Sequence, residues 1–485
     1  MGHLVIDVGT SSIRVAVVEP DASLRTQRRE PFLPSTPFPG GLEFDAAAMA
    51  AVVLRMCTEV LSEVGAITSV GITNQRASTI VWDRTSGVPV APGLGWQDLR
   101  TIGTCLMLQP QGFQVPPNAS ATKVAHILDQ VDPDRYRDLC FGTIDSWIAW
   151  TLTRGDAHIT DTTNAAVTGL ITVGTEGDLF WNVALLDVLR IPMSVMPRIV
   201  SSSGDLAVAT ALPGHPALTA LVGDQQGSLI GQACVHPGNT KITFGTGAML
   251  DMCTGPVPPG PAAGRLPNGC FPIAAWSRGD RTTWGMEAAM LTAGSAVEWL
   301  RDDLQILTTA AESEVVAGRC SDTGDVWFVP ALLGLGTPHW DYGARGTLTG
   351  MTRGTGRPEI VRAVLEGVAH RAVDLVEAAQ SDSGLSISTL RIDGGMSVNR
   401  VFAQALANAS QRRVEISPVL EATAVGAGFL AGLATGTWGS VDDIGATWKP
   451  VAAVEPSTNV SNRDRWSDAV ERSKAWYPDL SAINF

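Results

Sequence analysis

The sequence predicts an α/β fold built from two similar halves. A short glycine-threonine turn between two apolar, β-branched runs occurs twice, at residues 7–12 and again at residues 244–247. Strand-like and helix-like segments alternate after each copy, as in α/β proteins. The chain of 485 residues is also longer than one hydrophobic core usually organises. We therefore expect two domains, residues 1–240 and residues 241–485.

The first half begins with a predicted β-hairpin. Residues 4–6 lead into the first turn and residues 14–18 leave it, and both runs are rich in β-branched side chains. Asp45 is placed to cap a helix over residues 46–64, in which apolar side chains recur on one face. A strand over residues 69–72 follows directly.

The second half repeats this order of elements. Residues 241–244 lead into the second turn, and residues 248–252 leave it as another predicted hairpin. Pro358 and Glu359 open a long predicted helix that ends near residue 380, and a strand over residues 389–392 follows it. The shared order of elements indicates duplication of one α/β unit.

The two turns carry residues suited to binding phosphate. Glycine lets backbone N–H groups approach an oxyanion closely, and Thr10, Ser11, Ser12 and Thr246 add hydroxyl donors. Asp7, at the end of its strand, is placed to hold Mg²⁺ through water. Each turn alone is also compatible with an ordinary hairpin. Because the two occur together, half a chain apart, they favour ATP chemistry.

Composition excludes several other classes. The formal net charge of -14, without any basic run, argues against a nucleic-acid partner. No run of about 18 uncharged apolar residues occurs, so we expect no membrane span. The seven cysteines are scattered and never form a C-x-x-C pair, which predicts reduced, structural thiols. A soluble cytoplasmic protein is the expectation.

Several further motifs carry a family resemblance. They are Asp7-Val8-Gly9-Thr10, Gly71-Ile72-Thr73-Asn74-Gln75-Arg76, Thr122-Lys123-Val124, Phe141-Gly142-Thr143-Ile144-Asp145, Thr160-Asp161-Thr162-Thr163-Asn164, Gly223-Asp224-Gln225-Gln226, Phe244-Gly245-Thr246-Gly247 and Asp393-Gly394-Gly395. In these motifs and their order the chain resembles the FGGY carbohydrate kinases, and among them the glycerol kinases most. The resemblance implies two actin-like, ribonuclease-H-like ATPase domains with an interdomain cleft, phosphoryl transfer from ATP with Mg²⁺, a small polyol or sugar acceptor, and a dimer or tetramer.

The resemblance also implies roles for individual residues. Asp224 is the expected catalytic base, because a hydroxyl that attacks a γ-phosphate needs a positioned carboxylate to take its proton. The expected acceptor-binding positions are Arg76, Ala77, Trp96, Asn118, Asp224, Gln225 and Met249. The expected ATP-binding positions are Thr10, Ser11, Ser12, Arg14, Thr246, Gly294, Glu298, Gly395 and Asn399.

Three pocket positions depart from the glycerol kinases. Ala77 stands where they have a glutamate that binds a glycerol hydroxyl, Asn118 where they have a tyrosine, and Met249 where they have a phenylalanine. A charged hydrogen bond is worth about 1.5 to 3 kcal/mol and a neutral one about 1 kcal/mol. Loss of the glutamate and tyrosine contacts would lower the specificity for glycerol roughly 10²- to 10³-fold. We therefore expect the acceptor to be a longer polyol or a sugar.

Three alternatives stay open at this stage. Within the kinases, a ketopentose kinase of the xylulose type is the second candidate. An actin-like or Hsp70-like ATPase would use the same two loops without a polyol pocket. A catalytically weak sensor is the third, although a binding module has no need of Asp224.

Overall fold

The computed structural model describes residues 1–174, 177–260, 264–419, 421–458 and 462–483. The strands of the first half are β1 (His3–Val8), β2 (Ser12–Val18), β3 (Leu24–Pro31), β4 (Glu43–Phe44), β5 (Ser69–Asn74), β6 (Ile80–Asp83), β7 (Gly93–Leu94), β8 (Leu139–Gly142), β9 (Ile159–Asp161), β10 (Ile171–Val173), β11 (Leu179–Trp181), β12 (Arg198–Val200), β13 (Ser203–Val208) and β14 (Ala217–Gly223). Its helices are α1 (Ala46–Val64), α2 (Ile102–Leu108), α3 (Ala121–Val131), α4 (Ile144–Leu152), α5 (Thr162–Ala166), α6 (Val183–Val188) and α7 (Asp224–Gly231).

The second half continues the α/β pattern. Its strands are β15 (Thr240–Phe244), β16 (Ala248–Gly255), β17 (Phe271–Arg278), β18 (Arg281–Met290), β19 (Trp327–Val329), β20 (Thr347–Thr349), β21 (Thr389–Asp393), β22 (Arg413–Ile416) and β23 (Ala452–Val454). Its helices are α8 (Gly294–Asp302), α9 (Glu312–Ala317), α10 (Arg357–Ser383), α11 (Arg400–Ser410), α12 (Ala422–Thr435), α13 (Val441–Thr447), α14 (Arg463–Ser473) and α15 (Pro478–Ser481).

Both predicted hairpins are present, and each begins the same pattern of strands. β1 pairs antiparallel with β2 and parallel with β5. In the second half β15 pairs antiparallel with β16 and parallel with β21. Asp7 and Thr243 therefore occupy equivalent positions, each two residues before the first glycine of its turn. This is the duplicated α/β unit that the order of elements predicts.

The local predictions hold closely. α1 has the predicted bounds, with Asp45 as its N-cap accepting from the Ala48 N–H. α10 begins one residue before Pro358 and extends to Ser383, and the Gly356 N–H donates to the carboxylate of Glu359 in its first turn. β5 is two residues longer than predicted.

A single mixed sheet runs through both halves. Its strand order is β23-β22-β21-β15-β16-β18-β17-β13-β14-β5-β1-β2-β3. The two halves join in this sheet between β13 and β17, through the single pair Ser203 and Arg278. The division of the chain near residue 240 stays a prediction, since β15 begins there but the sheet continues across both halves.

Helix α12 belongs to the second half in sequence but packs on the sheet of the first, against β1, β5 and β14. It also crosses α7 at a distance that only glycine permits. A Cβ added at Gly426 would overlap the carbonyl oxygen of Gly227, and a Cβ at Gly231 would overlap that of Ala422. The two backbones are thus in direct contact. An apolar cluster that includes Leu229, Val425 and Phe429 surrounds the crossing.

Two other predictions concern the whole chain. None of the helices in the described ranges is both long enough and apolar enough to span a bilayer. All seven cysteines lie in described ranges and are free, and all but Cys320 are buried.

The crossing of α7 and α12 predicts a large effect of one methyl group. Gly426→Ala should lower the free energy of unfolding by about 2 to 3 kcal/mol, because the added Cβ meets backbone that cannot rotate away. Urea unfolding followed by circular dichroism measures it. Gly103→Ala is the control, since Gly103 is helical with open space at its Cβ position, and should change stability by less than about 1 kcal/mol. Equal stability of the two variants would contradict the interpretation.

Candidate active site

The first phosphate-type turn is closed by its own backbone. The Gly9 N–H donates to the Ser12 carbonyl at 3.0 Å. Thr10 is half-buried and accepts from Trp96 Nε1 at 3.3 Å, while Ser11 is exposed. Ser12 is buried in β2, and its hydroxyl oxygen accepts from Arg29 Nε at 3.3 Å. Thr10 and Ser11 are therefore more open to a ligand than Ser12.

The second turn carries the N-terminus of α8. The Gly294 N–H donates to the Gly245 carbonyl at 2.9 Å, and the Ser295 N–H donates to the Thr246 carbonyl at 3.1 Å. A Cβ at Gly294 would lie 2.5 Å from the Gly245 oxygen, so the close approach requires glycine. Thr246 itself is exposed. α8 and the second turn form one unit.

Asp7 lies in a group of charges at the end of β1. Arg14 Nη1 donates to Asp7 Oδ2 at 3.0 Å and to Glu421 Oε2 at 2.7 Å. Burial raises the pKa of Asp7 to about 7, Arg14 opposes this, and the charges of Asp224 and Glu421 add to it. Two carboxylates thus share the Arg14 guanidinium, and the charge of Asp224 also acts on Asp7. That surplus of negative charge suits a cation.

This group of charged side chains suits an Mg²⁺ ion that is held through water better than one that the side chains bind directly. Magnesium prefers oxygen ligands and usually keeps several waters. In the part of the chain that the structure describes, no group of three or more His, Cys, Asp or Glu side chains could hold a metal unaided. Asp7 is therefore the residue that would hold Mg²⁺ through water, and the ion would supply positive charge beside bound phosphates.

Asp224 is the first residue of α7, after Gly223 as N-cap. Its Oδ1 accepts from the Gln225 N–H at 2.8 Å and lies 3.4 Å from Arg76 Nε. Burial raises the pKa of Asp224, and Arg76 opposes the rise. The side chain remains 30% exposed, so a substrate can reach it. A carboxylate with a raised pKa that is open to a ligand suits a general base.

The other expected acceptor residues lie around this carboxylate and the first turn. Lys123, buried in α3, donates from Nζ to the carbonyls of Gly95, Trp96 and Asn118, each at 3.0 Å. These three bonds hold Trp96 and the exposed Asn118 together. Ala77 is buried with a left-handed φ of 59°, and its carbonyl accepts from Ser120 Oγ.

Gln225 is oriented by Lys241, a residue that the sequence patterns did not single out. Lys241 Nζ donates to Gln225 Oε1 and to Thr243 Oγ1, both at 2.9 Å, and pairs with Asp251 Oδ2 at 2.7 Å. Since an ammonium group can only donate, it fixes the Gln225 carbonyl oxygen toward Lys241 and leaves the amide N–H₂ for a substrate. Burial opposes the charge on Lys241, but Asp251 and Asp393 raise its pKa overall.

The expected ATP-binding positions that follow the second turn lie on helices and loops of the second half. Glu298 is exposed on α8, and Gly395 follows β21 with open space at its Cβ position. Asn399 is the N-cap of α11: its Oδ1 accepts from the Phe402 N–H at 3.0 Å, and its Nδ2 donates to Ser313 Oγ at 3.0 Å. Both ends of its amide are engaged.

Met249, an expected acceptor-binding position, is half-buried in β16, opposite Thr243.

Four charged residues that the motifs missed belong to this region: Lys241, Asp251, Glu287 and Glu421. Arg76 Nη2 donates to Glu287 Oε2 at 2.6 Å, so Arg76 holds carboxylates from α7 and from β18. The sequence did carry a signal for three of them. Lys241, Asp251 and Glu287 interrupt apolar strand runs, and a charge in a buried strand needs a partner.

The fold and the site define a class: an ATP-dependent phosphotransferase with two actin-like halves and an alcohol as acceptor. Comparison with known proteins specifies it. The model for the N-terminal domain of the FGGY family of carbohydrate kinases matches residues 3–212, and that for the C-terminal domain matches residues 240–435. The chain belongs to the FGGY family of carbohydrate kinases.

Individual relatives agree with the family. The glycerol kinase of Alcanivorax borkumensis is 38% identical over 493 residues, covering 97% of each chain. The glycerol kinase of Bordetella parapertussis is 39% identical over 501 residues, covering 98% of this chain and 97% of the relative. The structure of Plasmodium falciparum glycerol kinase with ADP matches with a TM-score of 0.89 at 28% identity, covering 100% of this chain and 99% of that one. A xylulose kinase from Lactobacillus acidophilus shares the fold, with a TM-score of 0.82 at 20% identity over 99% and 97% of the chains.

The Lys241–Asp251 pair predicts a separation of stability from substrate binding. Lys241→Met should destabilise by about 3 to 5 kcal/mol, because Asp251 is left buried without its cation. Lys241→Met combined with Asp251→Leu should recover most of that stability. The KM for the acceptor should be raised in both variants, because Gln225 has lost its orientation. Urea unfolding and acceptor kinetics measure the two effects. A double variant with the parent KM would refute the orienting role of Lys241.

Proposed function

We propose that this chain transfers the γ-phosphoryl group of ATP to a hydroxyl of a small polyol or sugar other than glycerol, in the cleft between residues 1–240 and residues 241–485. The observation that carries the proposal is the contact between Arg76 and Asp224, beside the oriented amide of Gln225. Together these side chains offer a proton acceptor and two hydrogen-bond donors at one place. This is what a reacting hydroxyl requires.

In the proposed reaction Asp224 accepts the proton of the acceptor hydroxyl as its oxygen bonds to phosphorus. Arg76 and the Gln225 N–H₂ donate hydrogen bonds that orient the acceptor, and Trp96 forms a wall of the pocket. Burial raises the pKa of Asp224, and the charge of Arg76 opposes that rise by favouring the ionised carboxylate. Positioning and charge stabilisation account for most of the catalysis in phosphoryl transfer.

On the nucleotide side, the two turns hold the phosphates. Thr10, Ser11 and Thr246 would donate from their hydroxyls and backbone N–H groups, Ser12 from its backbone, and Arg14 would attract phosphate oxygens while it orients Asp7. Mg²⁺, held through water near Asp7, neutralises charge on the phosphates when bound. The proposed adenosine contacts are Gly294, Glu298, Gly395 and Asn399.

Glycerol is the substrate named for the relatives, but three positions of this pocket favour another acceptor. Ala77 places a methyl group, without a carboxylate, next to Arg76. Asn118 is exposed, and its side chain, which makes no hydrogen bond to any described residue, is available as both donor and acceptor. Met249 replaces a rigid ring with a flexible chain. A longer polyol or a sugar would use the added hydrogen-bonding groups.

We further propose a cytoplasmic homo-oligomer, a dimer or a tetramer, without a nucleic-acid partner. The family resemblance supports the oligomer, the free cysteines support a reducing compartment, and the net charge of -14 opposes nucleic acid.

The role of Asp224 is tested by Asp224→Asn. The amide cannot accept the proton, so kcat should fall about 10²- to 10⁴-fold while the KM for ATP changes little. ADP release from Mg-ATP with a saturating acceptor measures it. Asp187→Asn, an exposed carboxylate on α6, is the control and should keep the parent kcat. Parent-like turnover in Asp224→Asn would exclude Asp224 as the base.

Acceptor choice is tested by ADP release with a panel of C3 to C7 polyols, aldoses and ketoses. We expect one acceptor to exceed glycerol at least tenfold in kcat/KM, because Ala77 and Asn118 replace two residues that the resemblance assigns to glycerol binding. A best response to a ketopentose would select the xylulose-type alternative. Glycerol as the best acceptor would refute the redirected pocket, and ADP release independent of any acceptor would favour an ATPase.

A further inference from the structure

Glu287 is a carboxylate in the cleft that none of the assigned roles uses. It lies on β18, directly opposite Asp251 of β16, so the two side chains project from the same face of the sheet. Its Oε2 accepts from Arg76 Nη2 at 2.6 Å. Its Oε1 accepts no hydrogen bond from any described residue. This oxygen is not fully enclosed, and 12% of the side chain is exposed.

Glu287 lies beside the proposed base. Arg76 contacts Asp224 through Nε and Glu287 through Nη2, and the guanidinium is one rigid plane. The two carboxylates therefore both lie beside one guanidinium, each at a different nitrogen. A small molecule bound against Arg76 can contact both.

The free oxygen of Glu287 matters because a carboxylate is missing elsewhere. The resemblance to the glycerol kinases implies a glutamate after Arg76 that binds an acceptor hydroxyl, and here that residue is Ala77. Besides Asp224, the proposed base, the first half therefore offers no such carboxylate at the position after Arg76. Glu287 offers one from the second half, with one oxygen held by Arg76 and the other open.

We propose that Glu287 is an acceptor-binding residue: its Oε1 accepts a hydrogen bond from the hydroxyl next to the one that is phosphorylated, on a polyol or sugar. This inference rests on the proposed function. Two neighbouring hydroxyls of the acceptor are then recognised by residues from different halves: Arg76 from the first half and Glu287 from the second. Acceptor binding then holds the two halves together at the floor of the cleft.

The test combines Glu287→Gln with deoxy analogues of the best acceptor in the panel. In the parent enzyme, the analogue that lacks the vicinal hydroxyl should lose about 10- to 100-fold in kcat/KM, as for a hydrogen bond to a charged group. In Glu287→Gln that loss should shrink to less than about threefold, while the losses for analogues deoxygenated elsewhere and the KM for ATP stay as in the parent.

Two further variants separate binding from folding. Glu287→Asp keeps the charge beside Arg76 but withdraws the oxygen by one methylene, and it should lose the same discrimination. Glu415→Gln changes a similarly enclosed carboxylate, 15% exposed, that pairs with Arg391 and Arg413 on the same sheet, and it should alter no discrimination.

The outcomes are distinct. If Glu287→Gln and Glu287→Asp lower turnover but leave every deoxy penalty at the parent value, Glu287 only supports Arg76 and the inference is wrong. If the parent enzyme shows no acceptor-dependent ADP release, the proposed function itself fails, and the inference with it.

Discussion

The contact between the backbones of α7 and α12 is the constraint on which the rest of the site depends. Gly227, Gly231 and Gly426 remove the side chains that would hold these helices apart. Each helix begins at a functional group. Asp224 is the first residue of α7, and Glu421, which binds Arg14, directly precedes α12. A shift of one helix against the other would therefore move the proposed base relative to the first phosphate turn.

The floor of the proposed cleft carries a row of charged side chains on neighbouring strands of the sheet. Lys241, Asp251 and Glu287 lie in register on β15, β16 and β18, so their side chains share one face. Arg76 covers this row from the first half. Burying such charges is costly unless they are paired. In the proposed reaction these charges, fixed by their pairing, would act on the phosphoryl group without having to reorganise.

This arrangement is also the reason that we propose different roles for Gln225 and Asp224, although they are neighbours in sequence. Lys241 donates to the Gln225 side chain, which leaves its N–H₂ as a donor. Arg76 donates toward Asp224, which remains an acceptor. A hydroxyl between them can accept from one and donate to the other. The polarity of the pocket is thus set by two cations that do not themselves need to contact the reacting oxygen.

Local features of this chain could be predicted from its sequence because short-range chemistry determines them. Both hairpins follow from β-branched runs around a turn, and α1 follows from the cap at Asp45 and its apolar face. The position of α12 could not be predicted, because its partners on α7 lie far earlier in the chain and the close packing of glycines there is a tertiary contact. The same holds within the site. Arg76 and Arg14 belong to the matched motifs, whereas their partners Glu287 and Glu421 reach them only through the tertiary structure.

The structure also bears on how such a kinase avoids transferring phosphate to water. Asp224 is open enough to take a proton from a water molecule as well as from a hydroxyl, so the base alone gives no selectivity. A bound acceptor differs from water in that it can contact Arg76 of the first half and residues of the second half at the same time. In the proposed reaction only the acceptor would then stabilise an arrangement of the two halves that aligns the phosphates for transfer. Selectivity against water and selectivity among acceptors would come from the same contacts, so a pocket altered at Ala77 must recover those contacts elsewhere in the cleft to remain an efficient kinase.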